Sequence, residues 1–262
     1  MAVPGRIADY DRIADKYDRR YDLHAYAGVK EALFNSLDSG TVFAALEVGC
    51  GTGHWLAEIR RQYPSAERLV LAGVEPATGM LSRARAANPG ARLVRARAEA
   101  LPWRAATFDR VFCVNALHHF ADRVRFFNEA RRILKPGGAL MSIGKDPHTD
   151  RDSWWVYDYF PETLAIDRDR FARVRVLRGE LAQAGFAWAE SFEADRIEAV
   201  MPATEALAAG VVDTAYTSQL TVLSDDEFRA GTARIREAND AAGGQLNLLT
   251  DFRLYATVGW VG

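Results

Sequence analysis

The run Leu46-Glu47-Val48-Gly49-Cys50-Gly51-Thr52-Gly53 constrains this chain more than any other stretch. Apolar, strand-forming residues lead directly into glycines at alternate positions, and a segment of helical composition, Trp55–Tyr63, follows. Glycine permits a sharp strand-to-helix turn and lets a ligand approach the backbone closely. The helix start beyond the turn offers free N–H groups and the positive end of the helix dipole. A Gly-x-Gly-x-Gly match alone is weak and could be a tight turn without a ligand. Placed after a strand and before a helix, it points to a ligand-binding turn.

The same alternation continues downstream. Phe43–Val48, Leu69–Val74, Arg92–Ala96, Phe108–Val114 and Ala139–Ile143 read as strands. Between them, Met80–Ala87 ends at the breaker Asn88-Pro89-Gly90. Val124, Phe127, Arg131 and Leu134 recur at helical spacing before Lys135-Pro136-Gly137-Gly138. Strands alternating with helices predict an α/β, Rossmann-like doubly wound sheet. Tyr10, Ile13, Tyr17 and Tyr21 fall at helical spacing and predict a helical cap over residues 1–40. Further on, Phe171, Val174, Leu177, Leu181 and Ala184 mark an amphipathic helix closed by Gly185. Trp188–Ala199 and Phe252–Val261 read as strands, and Ser224 with Glu227 forms a capping box opening a helix to about Asn239.

Composition removes several classes. The chain has 262 residues, 49% hydrophobic and 26% charged, with a formal charge of −2. Nucleic-acid binders usually carry a basic excess, so no nucleic-acid partner is expected. The two cysteines, Cys50 and Cys113, make neither a disulfide framework nor a four-Cys zinc site, and a reducing compartment is expected. The longest apolar runs, such as Leu69–Val74, are too short to span a bilayer, and Met1–Tyr10 has no signal-peptide core. A cytoplasmic location with no membrane partner is the expectation.

Glu75 closes the second strand, where doubly wound folds place an acid that accepts from ribose hydroxyls and rejects a 2′-phosphate. Leu46–Gly53, Val74-Glu75-Pro76, Ala98-Glu99-Ala100-Leu101-Pro102-Trp103, Phe108-Asp109-Arg110-Val111 and Leu134-Lys135-Pro136-Gly137-Gly138 occur in one order at the expected intervals. Together they resemble the class I S-adenosylmethionine-dependent methyltransferases, in particular the ubiquinone/menaquinone-type (methyltransferase type 11) small-molecule branch. The resemblance covers residues 42–145, and Tyr10–Asp18 is also similar to that branch.

The resemblance implies a seven-stranded mixed sheet with the last strand antiparallel. It makes residues 1–262 one methyltransferase domain, with a cofactor-binding core over 42–145 and substrate-cap elements over 146–249. It also implies S-adenosyl-L-methionine as cofactor. Glu47, Gly49, Cys50 and Gly51 would line its methionine part, Glu75 would hold the ribose diol, and Thr78 or Met80 would flank the adenine. Ala98 would offer its backbone to the adenine with Glu99 beside it. Asn115 and Ala116 would meet the methionine end, and Tyr10 and Tyr17 would close over the cofactor. Many relatives carry Asp before the Ala-Glu pair; here Arg97 stands there, and a guanidinium has only donors. Either Glu99 accepts from the adenine amino group, or packing and backbone hold the ring. The dehydrogenase fingerprint, Gly-x-Gly-x-x-Gly, does not match, since the third glycine comes one residue early.

Methyl transfer from a sulfonium needs alignment and a dry pocket, and a base only if the acceptor carries a proton. His118 and His119 follow the fourth strand at the ligand-binding edge of the sheet and are the candidate catalytic bases; alternatively they simply open the next helix. Asp146 and His148 sit at the same edge, but two ligands are not a metal site. The aromatic block Trp154, Trp155, Tyr157, Tyr159 and Phe160 is either a lid anchor or a wall for the acceptor. Tyr216, Thr217, Ser218 and Gln219 could add polar contacts. The expected function is methyl transfer to a small-molecule acceptor. A non-catalytic binder of S-adenosylmethionine or S-adenosylhomocysteine stands as the alternative, followed by an NAD-dependent oxidoreductase.

Overall fold

The computed structural model describes residues 10–38, 42–64 and 69–262; the first nine residues of the expected cap lie outside it. Two short helices, α1 (Tyr10–Ile13) and α2 (Arg19–Leu23), and a longer α3 (Ala27–Leu37) come first. The Tyr10–Tyr21 spacing predicts continuous helix, yet the chain turns between Ala14 and Asp18. There Lys16 and Arg19 make three-residue turns onto Ile13 and Lys16, while the Asp15 and Asp18 side chains bond to Arg83 and Thr52. Tertiary partners for short acidic side chains outweigh local helix propensity here.

The sheet then begins as expected: β1 (Ala44–Val48), α4 (His54–Gln62), β2 (Val70–Val74), α5 (Thr78–Ala87), β3 (Arg92–Val94), β4 (Phe108–Val114), α6 (Arg123–Ile133) and β5 (Leu134–Gly144). Strands β3, β2, β1, β4 and β5 are neighbours in that order and all parallel. Parallel strands covered on both faces read as continuous apolar runs, and Ala45, Leu46 and Val48 of β1 are fully buried. Asp109 clips the start of this array: it accepts from the Phe43 and Ala44 amides (2.9 and 2.8 Å) and pairs with Lys135. The helix before Lys135-Pro136-Gly137-Gly138 ends at Ile133, and β5 begins earlier than the expected Ala139. Leu134 already pairs with Phe108, and the pairing resumes at Ala139 after a register shift.

The second half departs further from expectation. β6 (Ser153–Trp154), α7 (Trp155–Tyr159), α8 (Glu162–Arg170) and α9 (Val174–Gln183) lead to β7 (Trp188–Pro202); α10 (Ala203–Ala208), α11 (Ser218–Thr221) and α12 (Asp225–Ala241) lead to β8 (Asn247–Trp260). β8 runs antiparallel to β5 and to β7, which fills one of its edges from Asn247 to Trp260. Its other edge pairs with β5 and, further along, with β6. The sheet therefore has eight strands where seven are expected, because the two-residue β6 is too short to leave a sequence signal. β7 and β8 also run further than their patterns suggest, through the pairs Val200–Leu249, Met201–Leu248 and Pro202–Asn247. A bulge between Glu193 and Asp195 turns the Asp195 carboxylate onto the Gly28 and Val29 amides (3.0 and 3.2 Å), which supplies the N-terminal cap that α3 lacks locally. One apolar cluster includes Trp55, Leu56 and Val29; the other includes Phe108, Phe126 and Ile133. No helix among the described residues is long and apolar enough to cross a membrane.

Candidate functional site

The turn after β1 holds Gly49, Gly51 and Gly53 at φ of 74°, 52° and 79°, a region that disfavours side chains. At Gly49 a Cβ would stand 2.7 Å from the Ala116 methyl, so the turn passes directly under the loop that follows β4. Glu75 faces this turn from the end of β2. Its carboxylate accepts from the Gly51 amide (3.0 Å) and the Ala77 amide (2.9 Å). Glu47, 1% exposed, lies on the neighbouring strand, and its Oε2 has no partner. Burial, then the Glu75 charge, pushes the Glu47 carboxyl well up. Burial also raises Glu75, against the two amides that favour its charge. Two buried carboxylates beside an open-backboned turn suit a ligand carrying positive charge. The Cys50 thiol points instead toward Gly73 and the core, and burial pushes it well up, leaving only its backbone facing the turn.

The α1–α2 segment folds over this turn. The Tyr17 ring lies 3.7 Å from the position of a Cβ on Gly51, and the Arg20 guanidinium sits 3.7 Å above the Tyr17 ring. Thr52 Oγ1 donates to Asp18 (2.5 Å) and the Gly79 amide to Asp11 (2.6 Å). Met80, 1% exposed, is covered by Ile13, Ala14 and Ala215. Tyr10 bonds through its hydroxyl to His119 Nε2. Ala98 is buried, while the neighbouring Glu99 accepts from the Ala121 and Asp122 amides (2.7 and 3.2 Å), which ties its Oε1 to the loop before α6. Arg97 is exposed.

A small cavity, partly open to solvent, opens beyond the carboxyl ends of β4 and β5. Asn115, held at φ 50°, and His118 line it. His118 stacks on Phe171 at 3.9 Å, and its Nε2 is buried without a partner. Burial, then His119, Arg170 and Lys145, lowers His118 well below the ordinary histidine range. His119 is lowered to about 3, chiefly by burial. Both imidazoles are therefore neutral at physiological pH, but only His118 lines the cavity; His119 faces Tyr10 and the cap.

The far wall comes from the second half of the chain. Trp154, Phe252 and Leu254 line it, as do Tyr216, Thr217, Ser218 and Gln219. The aromatic block divides: Trp155 and Phe160 enter the core, while Trp154 reaches the cavity. Asp146 and His148 do not line it. Asp146 accepts from the Val174 and His148 amides and His148 bonds to the Phe171 carbonyl, so both position the segment carrying Phe171. Among the described residues no three His, Cys, Asp or Glu side chains group as a metal site. Residues outside the sequence expectations also line the cavity or the smaller one adjoining it, among them the cations Arg20, Lys145 and Arg170. Lys145 left one signal, a lone charge ending the apolar strand Ala139–Ile143 at the ligand-binding edge.

The order of the sheet defines a Rossmann-like doubly wound fold, and comparison with known proteins narrows it to a class. Residues 46–142 match the family model described as a methyltransferase domain. The chain is 31% identical over 192 residues to a malonyl-[acyl-carrier protein] O-methyltransferase of Geobacter sulfurreducens, covering 68% of this chain and 70% of that protein. It is 34% identical over 134 residues to a phthiotriol/phenolphthiotriol dimycocerosates methyltransferase of Mycobacterium leprae, with 51% of this chain and 49% of that protein matched. The match thus spans about half the length of several curated relatives. A putative methyltransferase from an antibiotic biosynthesis pathway of Anabaena variabilis shares the fold, with TM-score 0.68 at 20% identity over 87% of this chain and 95% of that one. The chain belongs to the class I S-adenosylmethionine-dependent methyltransferases.

Proposed function

We propose that this protein transfers the methyl group of S-adenosylmethionine to a small molecule bound in the cavity beneath α1–α2. The observation that carries the reading is the buried pair Glu47 and Glu75 beside the glycine turn, with Glu47 Oε2 unpartnered. When bound, the cofactor supplies a methyl group on a cationic sulfur, which leaves as a neutral thioether.

Glu47 would face the cofactor's ammonium group, and Glu75 would exchange backbone donors for ribose hydroxyls. Gly49, Gly51 and the Cys50 backbone would line the methionine chain, with Asn115 and Ala116 opposite. Met80 and Ala98 would bound the adenine, and Glu99 would keep its loop in place. Tyr10 and Tyr17 would exclude water over the reacting atoms. His118 Nε2 is positioned to take a proton from an acceptor that carries one, and His119 would act through Tyr10 as a positioning residue.

Calorimetric titration with S-adenosylhomocysteine and, separately, NADH tests the cofactor. Saturable binding of the first and none of the second is expected; NADH binding alone overturns the reading. Once an acceptor is found, His118→Ala is expected to lower kcat by about 10²–10⁴-fold with cofactor affinity unchanged. Full activity in that variant would remove His118 as the base.

A further inference from the structure

The wall of the cavity is cationic and under-bonded. Lys145 is 8% exposed, and its Nζ makes no hydrogen bond. It lies within 3.7 Å of the Trp154 ring, 4.4 Å of Phe252 and 4.6 Å of Tyr157. Arg170 spends one amino group on Asp167 (2.6 Å), while its Nε and Nη1 are buried without partners. Arg20 Nη2 is buried and unpartnered as well. Aromatic faces attract an ammonium but accept no full hydrogen bond, so these donors stay unsatisfied at a cost.

The nearby acids Asp167 and Asp152 favour the Lys145 cation by charge, but neither bonds to its Nζ. Asp167 already takes Arg170, the Tyr157 hydroxyl (2.7 Å) and Gln219 (2.8 Å). Asp152 accepts from the Arg253 amide and lines neither cavity. Among the described residues, no Asp or Glu lines the main cavity or the adjoining one, which share Asn115, His118, Lys145 and Phe171. A pocket with buried cationic donors and no carboxylate is complementary to an anion, and its remaining surface is largely aromatic.

We infer that the methyl acceptor is an organic anion with an aromatic body, its charged group met by Lys145 and Arg170 and its ring lying against Trp154 and Phe171. The inference rests on the methyltransferase reading above and names its acceptor class. Burial and then His119 lower His118 most, and an anion there would offset only the smaller part that Arg170 and Lys145 add.

The test titrates protein saturated with S-adenosylhomocysteine with benzoate, phenyl phosphate and the neutral isostere benzamide. The anions are expected to bind at least about tenfold more tightly than the amide; benzoate ahead of phenyl phosphate selects a carboxylate, and the reverse order a phosphate. Lys145→Met and Arg170→Gln should each collapse the preference, Lys145→Arg should retain most of it, and all three should bind S-adenosylhomocysteine as the wild type does. Benzamide binding as tightly as benzoate, no saturable binding of either anion, or a preference that survives Lys145→Met would each overturn the inference. Loss of S-adenosylhomocysteine binding in the wild type would instead overturn the cofactor reading.

Discussion

Glu75 holds the turn through the Gly51 and Ala77 amides, and in the proposed reading it would also face the cofactor. Glu75→Ala strands both amides and should weaken S-adenosylhomocysteine by about 1–3 kcal/mol while also lowering Tm; titration and thermal melts together check this. The raised carboxyls of Glu47 and Glu75 make a pH prediction. The folded protein binds these protons more tightly than the unfolded chain. The stability they contribute is therefore present at low pH and lost as pH rises through the raised values. Cofactor affinity runs the other way, since the ammonium group needs the ionised form. Affinity should fall on acidification while the pH is still above the ordinary carboxylate range of about 4–4.5, and a flat profile down to about pH 5 contradicts it. At this scale the glycines were legible, because left-handed backbone is written in residue type. Arg170 and Arg20 were not, and Lys145 left only a lone charge after an apolar strand, because their unpartnered buried nitrogens depend on tertiary packing that no local pattern records.

Helices with strong end signals were equally legible. The Ser224–Glu227 capping box forms, and α12 runs two residues past the expected Asn239 to Ala241. Ser224→Ala should cost about 1 kcal/mol in a denaturant melt. Gly231, inside the same helix, shows what propensity cannot reveal. A Cβ there would stand 2.1 Å from the Phe160 ring, which is fully buried. Gly231→Ala should therefore destabilise by about 1–3 kcal/mol through overpacking, although alanine is the better helix former; a gain in Tm would refute this. The elements missed share a cause. β6, the break between α1 and α2 and the far ends of β7 and β8 are all held by partners distant in sequence, Thr250 and Asp251 for β6 and Thr52 and Arg83 for the break.

For the molecule as a whole, α1 and α2 form a clasp over the glycine turn, fastened to that turn by Asp18–Thr52, to the start of α5 by Asp11–Gly79 and to the α10–α11 connection by Lys16–Asp213. Asp18→Ala should speed S-adenosylhomocysteine release about tenfold, the loss of one good hydrogen bond to a charged group, with association little changed; stopped-flow displacement reads both. The position of β8 has a consequence for how the protein is made. It follows β7 and the other described strands in sequence, yet it lies between β5 and β7 and lines the cavity with Phe252 and Leu254. The 203–246 segment between β7 and β8 takes a few seconds to make at about 5–20 residues per second, so β7 precedes the partner of its paired edge by that interval. Trp188, Phe192 and Val200, which stay exposed even in the finished fold, are on it. That interval is when a nascent chain would need a chaperone, and a ribosome stalled within it would release a chain whose acceptor cavity cannot close.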